Sequence, residues 1–325
     1  MTRTVFVTGA AGFIGTRVAR LLREHGDDVV AIVREPERQA GLRDLGVGLV
    51  AGDLGSAEAI RTALIGSDAV IHIAGRYEVG IPVGEHPAMY EANVGVTERV
   101  LDAAIAERIT TIVQISTIGV LGNSHGEVHD ETFHRNLAEG FLSYYDETKY
   151  LAHLAAEARI AAGAPIVIVA PGTVYGANDH SGLGEILKSA YDGTAHYIVF
   201  ADSGITPVHV DDIADGIVRS LDRGRIGEMY ILGGENLRLR DAMAICARAG
   251  GHRLPRLTLP MPIVRLGAGL LPQGGAMAGL PPNLAEVLKT SDGVTLWASS
   301  AKAAAELGYA PRDLATGARQ AFGAA

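Results

Sequence analysis

The stretch TVFVTGAAGFIG at residues 4–15 constrains the fold more than any other part of the chain. Thr4 to Val7 is an apolar, β-branched run that reads as a buried strand, and a helical pattern, TRVARLLREHG, follows Gly15. Between them stand Gly9, Gly12 and Gly15. Glycine permits a tight turn and a close backbone approach, and the helix N-terminus offers free N–H groups and a positive dipole end. A strand, a glycine turn and a helix start together make a cradle for the pyrophosphate of a dinucleotide. The spacing is G-x-x-G-x-x-G rather than G-x-G-x-x-G, so the position between first strand and first helix carries the reading, not the glycines alone.

The pattern then repeats. Apolar runs at Asp28–Val33, Leu49–Ala51, Ala69–Ile73, Thr111–Ile115 and Ile166–Val169 alternate with helical periodicity at Arg17–His25, Asn93–Ala106 and Tyr145–Ala161. Continuous apolar strands separated by helices predict an α/β fold of Rossmann type, a doubly wound parallel sheet covered on both faces. After Gly172 the strands thin out and Gly, Pro and loops increase, except that Val208–Leu232 returns to the strand–helix rhythm. This predicts a nucleotide-binding domain from residues 1–171 and 205–236. A smaller, discontinuous substrate domain takes residues 172–204 and 237–325.

Charge and cysteine content exclude several classes. The formal charge of −9 is spread along the chain, which argues against a nucleic-acid or anionic-membrane surface. Cys246 is the only cysteine, so an intramolecular disulfide is excluded and a small buried apolar role is expected. The chain starts on a strand rather than a charged leader, and Met261–Leu280 is broken by Arg265, glycines and prolines. A cytoplasmic protein without a membrane span is therefore expected. His125, His129 and His134 lack the spacing of a metal site and read as a solvated loop or substrate rim, so no metal is expected.

Three further positions carry chemistry. The second strand ends Val33-Arg34, where an acid would hold the ribose 2′-hydroxyl of NAD. An arginine there suits the 2′-phosphate of NADP, with Arg38 one helical turn on and surface pairing to Glu35 or Glu37 as the competing use. Tyr145 and Lys149 stand four apart on one helix face, where an ammonium can lower a phenol's pKa and make it an acid or base at a carbonyl oxygen. Ser116-Thr117, at the end of the fifth strand, can supply a hydroxyl to the same oxygen.

In this order the motifs resemble an extended short-chain dehydrogenase/reductase, of the NAD-dependent epimerase/dehydratase superfamily. The likeness runs through TGAAGFIG (8–15), GDL (52–54), HIAG (72–75), ISTIGVLG (115–122), YDETK (145–149), PGTVYG (171–176) and VHVDDIADGI (208–217). The resemblance implies a cofactor site using Gly9, Gly12, Phe13, Ile14, Gly15, Arg34, Asp53, Leu54, Ala74, Tyr145, Lys149 and Pro171. It implies a catalytic trio of Thr117, Tyr145 and Lys149, with Ser116 as the fallback hydroxyl. A homodimer through the helices of residues 93–106 and 145–161 is implied as well.

The departures narrow the branch. Ile118 and Gly119 stand where dehydratases continue with Asp and Glu, and Ile205-Thr206 replaces an Arg-Asp common in sugar-nucleotide enzymes. Ala170 replaces the arginine that commonly precedes Pro171. These changes resemble the dihydroflavonol-reductase-like branch and imply reduction of a small ketone or aldehyde with NADP(H), with NAD(H) the other cofactor. A sugar or sugar-nucleotide epimerase that keeps its cofactor bound is the alternative.

Overall fold

The computed structural model describes residues 2–179, 181–262, 264–265 and 283–323. Most of the late apolar stretch up to Leu280 lies outside the described residues. Seven strands form one sheet: β1 Thr4–Thr8, β2 Asp28–Val33, β3 Gly48–Ala51, β4 Ala69–His72, β5 Thr111–Ile115, β6 Ile166–Pro171 and Met229–Leu232 at one edge. From that edge the order runs β6, β5, β4, β1, β2, β3, and every neighbouring pair is parallel.

Side-chain alternation explains why the strands read as unbroken apolar runs. Val5 and Val7 enter one core with Val113, Val167 and Val169, whereas Phe6 enters the other with Ile112, Ile166 and Ile168. Each such side chain is buried and contributes on the order of 2 kcal/mol. The first face is covered by α1 (Gly15–Glu24) and the helix Val210–Arg223. The second is covered by the helices Ala57–Leu64, Val96–Ala106 and Tyr144–Ala161.

The strand order reverses between β1 and β4, so the crevice for a ligand opens at the C-terminal ends of these two strands. The late chain is divided between two cores. Leu187, Leu239, Met243, Cys246, Leu314 and Ala318 form a separate cluster, whereas Ala303, Leu307 and Tyr309 pack on the sheet. Cys246 is fully buried there, and burial pushes its thiol up to about 12, where it is inert. The returning segment brings Pro207–His209 to pair with Thr173–Tyr175, and His209 then caps the next helix by accepting from Asp211 N.

One helix differs from its expected start at Asn93. It begins at His86, and a single π turn, Glu91–Gly95, joins the first turns to Val96–Ala106. A π turn widens the helix locally and is often found at functional sites. No helix among the described residues is long and apolar enough to cross a membrane.

Candidate active site

The glycine turn is built by contact rather than by flexibility. Gly9 has φ +71°, and a Cβ on it would lie 2.8 Å from the backbone nitrogen of Ala74 at the end of β4. A Cβ on Gly15 would lie 2.0 Å from the Gly9 carbonyl oxygen. Gly12 closes the turn by donating its N–H to that same oxygen at 2.9 Å. No side chain caps α1 and no acid stands in its first turn, while Ala11 and Gly12 are exposed. The positive end of the helix is thus left to an external anion, which fits a pyrophosphate.

Phe13 and Ile14 flank the turn. Arg17 lies 4.7 Å over the Phe13 ring, and it donates to the carbonyls of Phe13 and Ala177. This ties the cradle to the loop after Thr173–Tyr175.

A buried chain of hydrogen bonds fixes the floor beneath the cradle. Thr8 Oγ1 accepts from the N–H groups of Ile73 and Ala74, and lies 2.6 Å from His72 Nδ1. Having used its lone pairs, Thr8 donates to Nδ1, so His72 carries its proton on Nε2 and donates to Thr97 Oγ1 at 3.1 Å. Thr97 in turn donates to the Asn93 carbonyl. Burial lowers His72 to about 3, with Lys149 adding, so the ring stays neutral and the network does not titrate near neutrality.

Tyr145 and Lys149 lie on the helix Tyr144–Ala161, which Ser143 caps by accepting from Asp146 N at 3.0 Å. Lys149 is buried, and its Nζ donates to the Ile115 carbonyl at 2.9 Å, at the end of β5. Burial lowers its pKa to about 8. Tyr145 departs from the expectation of a depressed phenol: burial raises it, with Tyr77 and Asp146 adding. The cause is desolvation by burial. The phenol therefore rests in its protonated form.

The two adjacent hydroxyls separate clearly. Ser116 is buried and bonded to His153 Nδ1 at 3.1 Å, so it faces the interior. Thr117 is half-buried, and its Oγ1 accepts from Gly119 N at 3.2 Å, which leaves the hydroxyl proton free to donate.

The remaining positions ring the crevice. Arg34 is exposed after β2 and makes no ion pair among the described residues; Arg38 instead pairs with Glu35 at 2.6 Å. Asp53 is exposed after β3 and accepts from Gly55 N, while Leu54 packs on the second core. Ala74 follows β4, and Pro171 is buried at the end of β6. All follow or end strands at the C-terminal edge of the sheet, where Lys149 also meets it at Ile115.

Three residues at the site were not singled out from the sequence. Asn93, in the π turn, accepts from Arg76 N at 2.7 Å and donates to Arg76 O and to Thr148 Oγ1 at 2.9 Å. It thereby ties the loop after β4 to the residue before Lys149. Arg135 forms a bidentate, buried pair with Asp146, next to Tyr145, at 3.0 and 2.9 Å. Tyr77 sets its ring edge-on to Tyr145, with centroids 4.8 Å apart.

Comparison with known proteins agrees with the geometry. Residues 5–233 match the family described as NAD dependent epimerase/dehydratase. A dihydroflavonol 4-reductase-like protein of Synechocystis sp. is 30% identical over 268 residues, covering 80% of this chain and 76% of that protein. A 4-hydroxy-2-methyl-3-oxo-4-farnesyl-3,4-dihydroquinoline-1-oxide ketoreductase of Stigmatella aurantiaca is 28% identical, covering 94% of this chain and 92% of its own. The crystal structure of gox2253 superposes with a TM-score of 0.84 at 30% identity, covering 99% of this chain and 97% of that one.

Proposed function

From the premise that this chain belongs to the NAD dependent epimerase/dehydratase family, in the dihydroflavonol-reductase-like branch of the extended short-chain dehydrogenases/reductases, we propose that it reduces the carbonyl of a small ketone or aldehyde with NADP(H). What supports this is geometry: Tyr145 stands one helical turn before Lys149, whose buried Nζ donates to Ile115 O at the end of β5, two residues before Thr117. A group that holds its proton at neutral pH is suited to protonate an oxygen as it gains negative charge.

When bound, the nicotinamide supplies the hydride. The chain does the rest. The α1 cradle of Gly9, Gly12, Phe13, Ile14 and Gly15 receives the pyrophosphate, and Asp53, Leu54, Ala74 and Pro171 line the crevice on either side. Arg34, with no competing ion pair among the described residues, takes the 2′-phosphate of NADP. Thr117 orients the carbonyl oxygen by donating to it. Tyr145 gives its proton to that oxygen. Lys149, anchored on Ile115 O, places positive charge next to the phenolate that forms. The substrate is placed over this edge of the sheet, against the loop after β4 that carries Tyr77.

The test is net consumption of NADPH. Purified protein with a panel of ketones and aldehydes is followed at the nicotinamide absorbance band. Consumption with stoichiometric alcohol supports the reductase. An absorbance that stays flat while a sugar nucleotide is converted to its epimer assigns the site to hydride recycling instead.

A further inference from the structure

We propose that Glu286 is a positioning and size-selecting residue, whose carboxylate holds the loop that carries Tyr77 against the helix that carries Tyr145; this rests on the reductase reading above. Glu286 lies in the helix Leu284–Ser291, far in sequence from either. One oxygen, Oε1, accepts from the backbone N–H of Tyr144, in the first turn of the helix that carries Tyr145. The other, Oε2, accepts from Gly80 N at 2.8 Å, in the loop after β4. Gly80 is held twice, because its carbonyl also accepts from Asn283 N at 2.9 Å. Asn283 caps the same helix by accepting from Glu286 N, which fixes the glutamate backbone.

The clamp sits beside the reacting tyrosine. The Gly80 loop carries Tyr77, edge-on to Tyr145, and His86, stacked 3.7 Å from the Tyr144 ring. The loop thus touches Tyr144 and Tyr145 by aromatic contact, and Glu286 joins both sides by charge-assisted hydrogen bonds. The acceptor is anionic and faces the N-terminal turn of a helix, where such bonds are strongest. A carboxylate with both oxygens engaged fixes a distance that aromatic contacts alone leave free to slide. How firmly the edge-on contact is held determines how large a substituent can displace Tyr77 from Tyr145 once a carbonyl reaches Thr117.

Glu286→Gln keeps the shape and loses one of the two acceptors, so one N–H faces an amide N–H instead. The experiment measures kcat and KM for a series of methyl ketones of increasing chain length, with NADPH saturating. Glu286→Gln is expected to raise kcat/KM for the longest ketone relative to the shortest by about tenfold, the scale at which a pocket discriminates methylenes. It lowers kcat for the short ketone, while NADPH affinity and the thermal midpoint stay at wild-type values. An unchanged size profile and kcat overturn the proposal. Amide hydrogen exchange gives a readout independent of turnover: faster exchange at Gly80 or Tyr144, whichever N–H loses its acceptor, supports the clamp, and unchanged exchange at both rejects it. If the wild-type protein reduces none of the ketones, the reductase reading fails, and the exchange result still decides the clamp.

Discussion

Gly12 and Gly15 stand three residues apart and do different work. The Cβ of an alanine at 15 would sit 2.0 Å from the Gly9 oxygen, a backbone atom that cannot step aside. At 12 the same oxygen would be 3.2 Å away, and the position is exposed. Gly15→Ala is therefore expected to lose roughly 2 kcal/mol or more of stability, read by urea unfolding. Gly12→Ala keeps its unfolding midpoint but weakens NADPH binding, because its methyl enters the space of the pyrophosphate. Equal stability losses at both positions would contradict this division. Arg34 belongs to the same scale: Arg34→Ala should lose about tenfold in NADPH affinity and leave NADH affinity unchanged. Tighter NADH than NADPH binding by the wild type would refute the NADP assignment. The role proposed for Lys149 implies a pH dependence. Burial depresses its pKa to about 8, so its charge is present below that value and lost above it. Reductive kcat/KM should fall as pH rises through about 8, and a profile flat from pH 7 to 10 would contradict the role of the ammonium.

At the scale of elements, local patterns were legible and long-range ties were not. Tyr145 and Lys149 are recognisable because one helix sets their spacing, and Gly9 to Gly15 because one turn does. Asn93 was hidden. Its partners, Arg76 and Thr148, lie 17 and 55 residues away, and the π turn that aims it leaves no periodic signature. The helix start at His86 was hidden for a related reason: Pro82 and Pro87 interrupt the apolar pattern before Asn93. Glu286 joins residues 142 and 206 positions away, and only folding brings them together. The Arg135–Asp146 pair holds the loop before the Tyr144–Ala161 helix against its first turn. Both groups are buried, so removing one leaves the other uncompensated. Arg135→Met should cost about 3 kcal/mol in urea unfolding, and adding Asp146→Asn should recover part of that loss. Losses that simply add would show that the pair is not coupled.

At the scale of the molecule, the sheet supplies a rigid base, and every candidate group stands at one edge of it. The strand reversal between β1 and β4 opens the crevice, the cradle fills one side, and the end of β5 with the Tyr144–Ala161 helix fills the other. This whole-molecule plan was readable because parallel strands buried on both faces leave an apolar record in the sequence. The late chain was less readable, since its residues serve two cores at once. On the outer surface, Ile105 and Leu154 are 36% and 38% exposed on the two helices expected to form a homodimer. The central claim is that Tyr145 gives the proton within a preassembled dinucleotide site. Tyr145→Phe tests it most directly, with NADPH binding and ketone turnover measured on the same preparation. NADPH should bind as in the wild type while turnover drops by about 10³-fold. Turnover near the wild-type rate would contradict it.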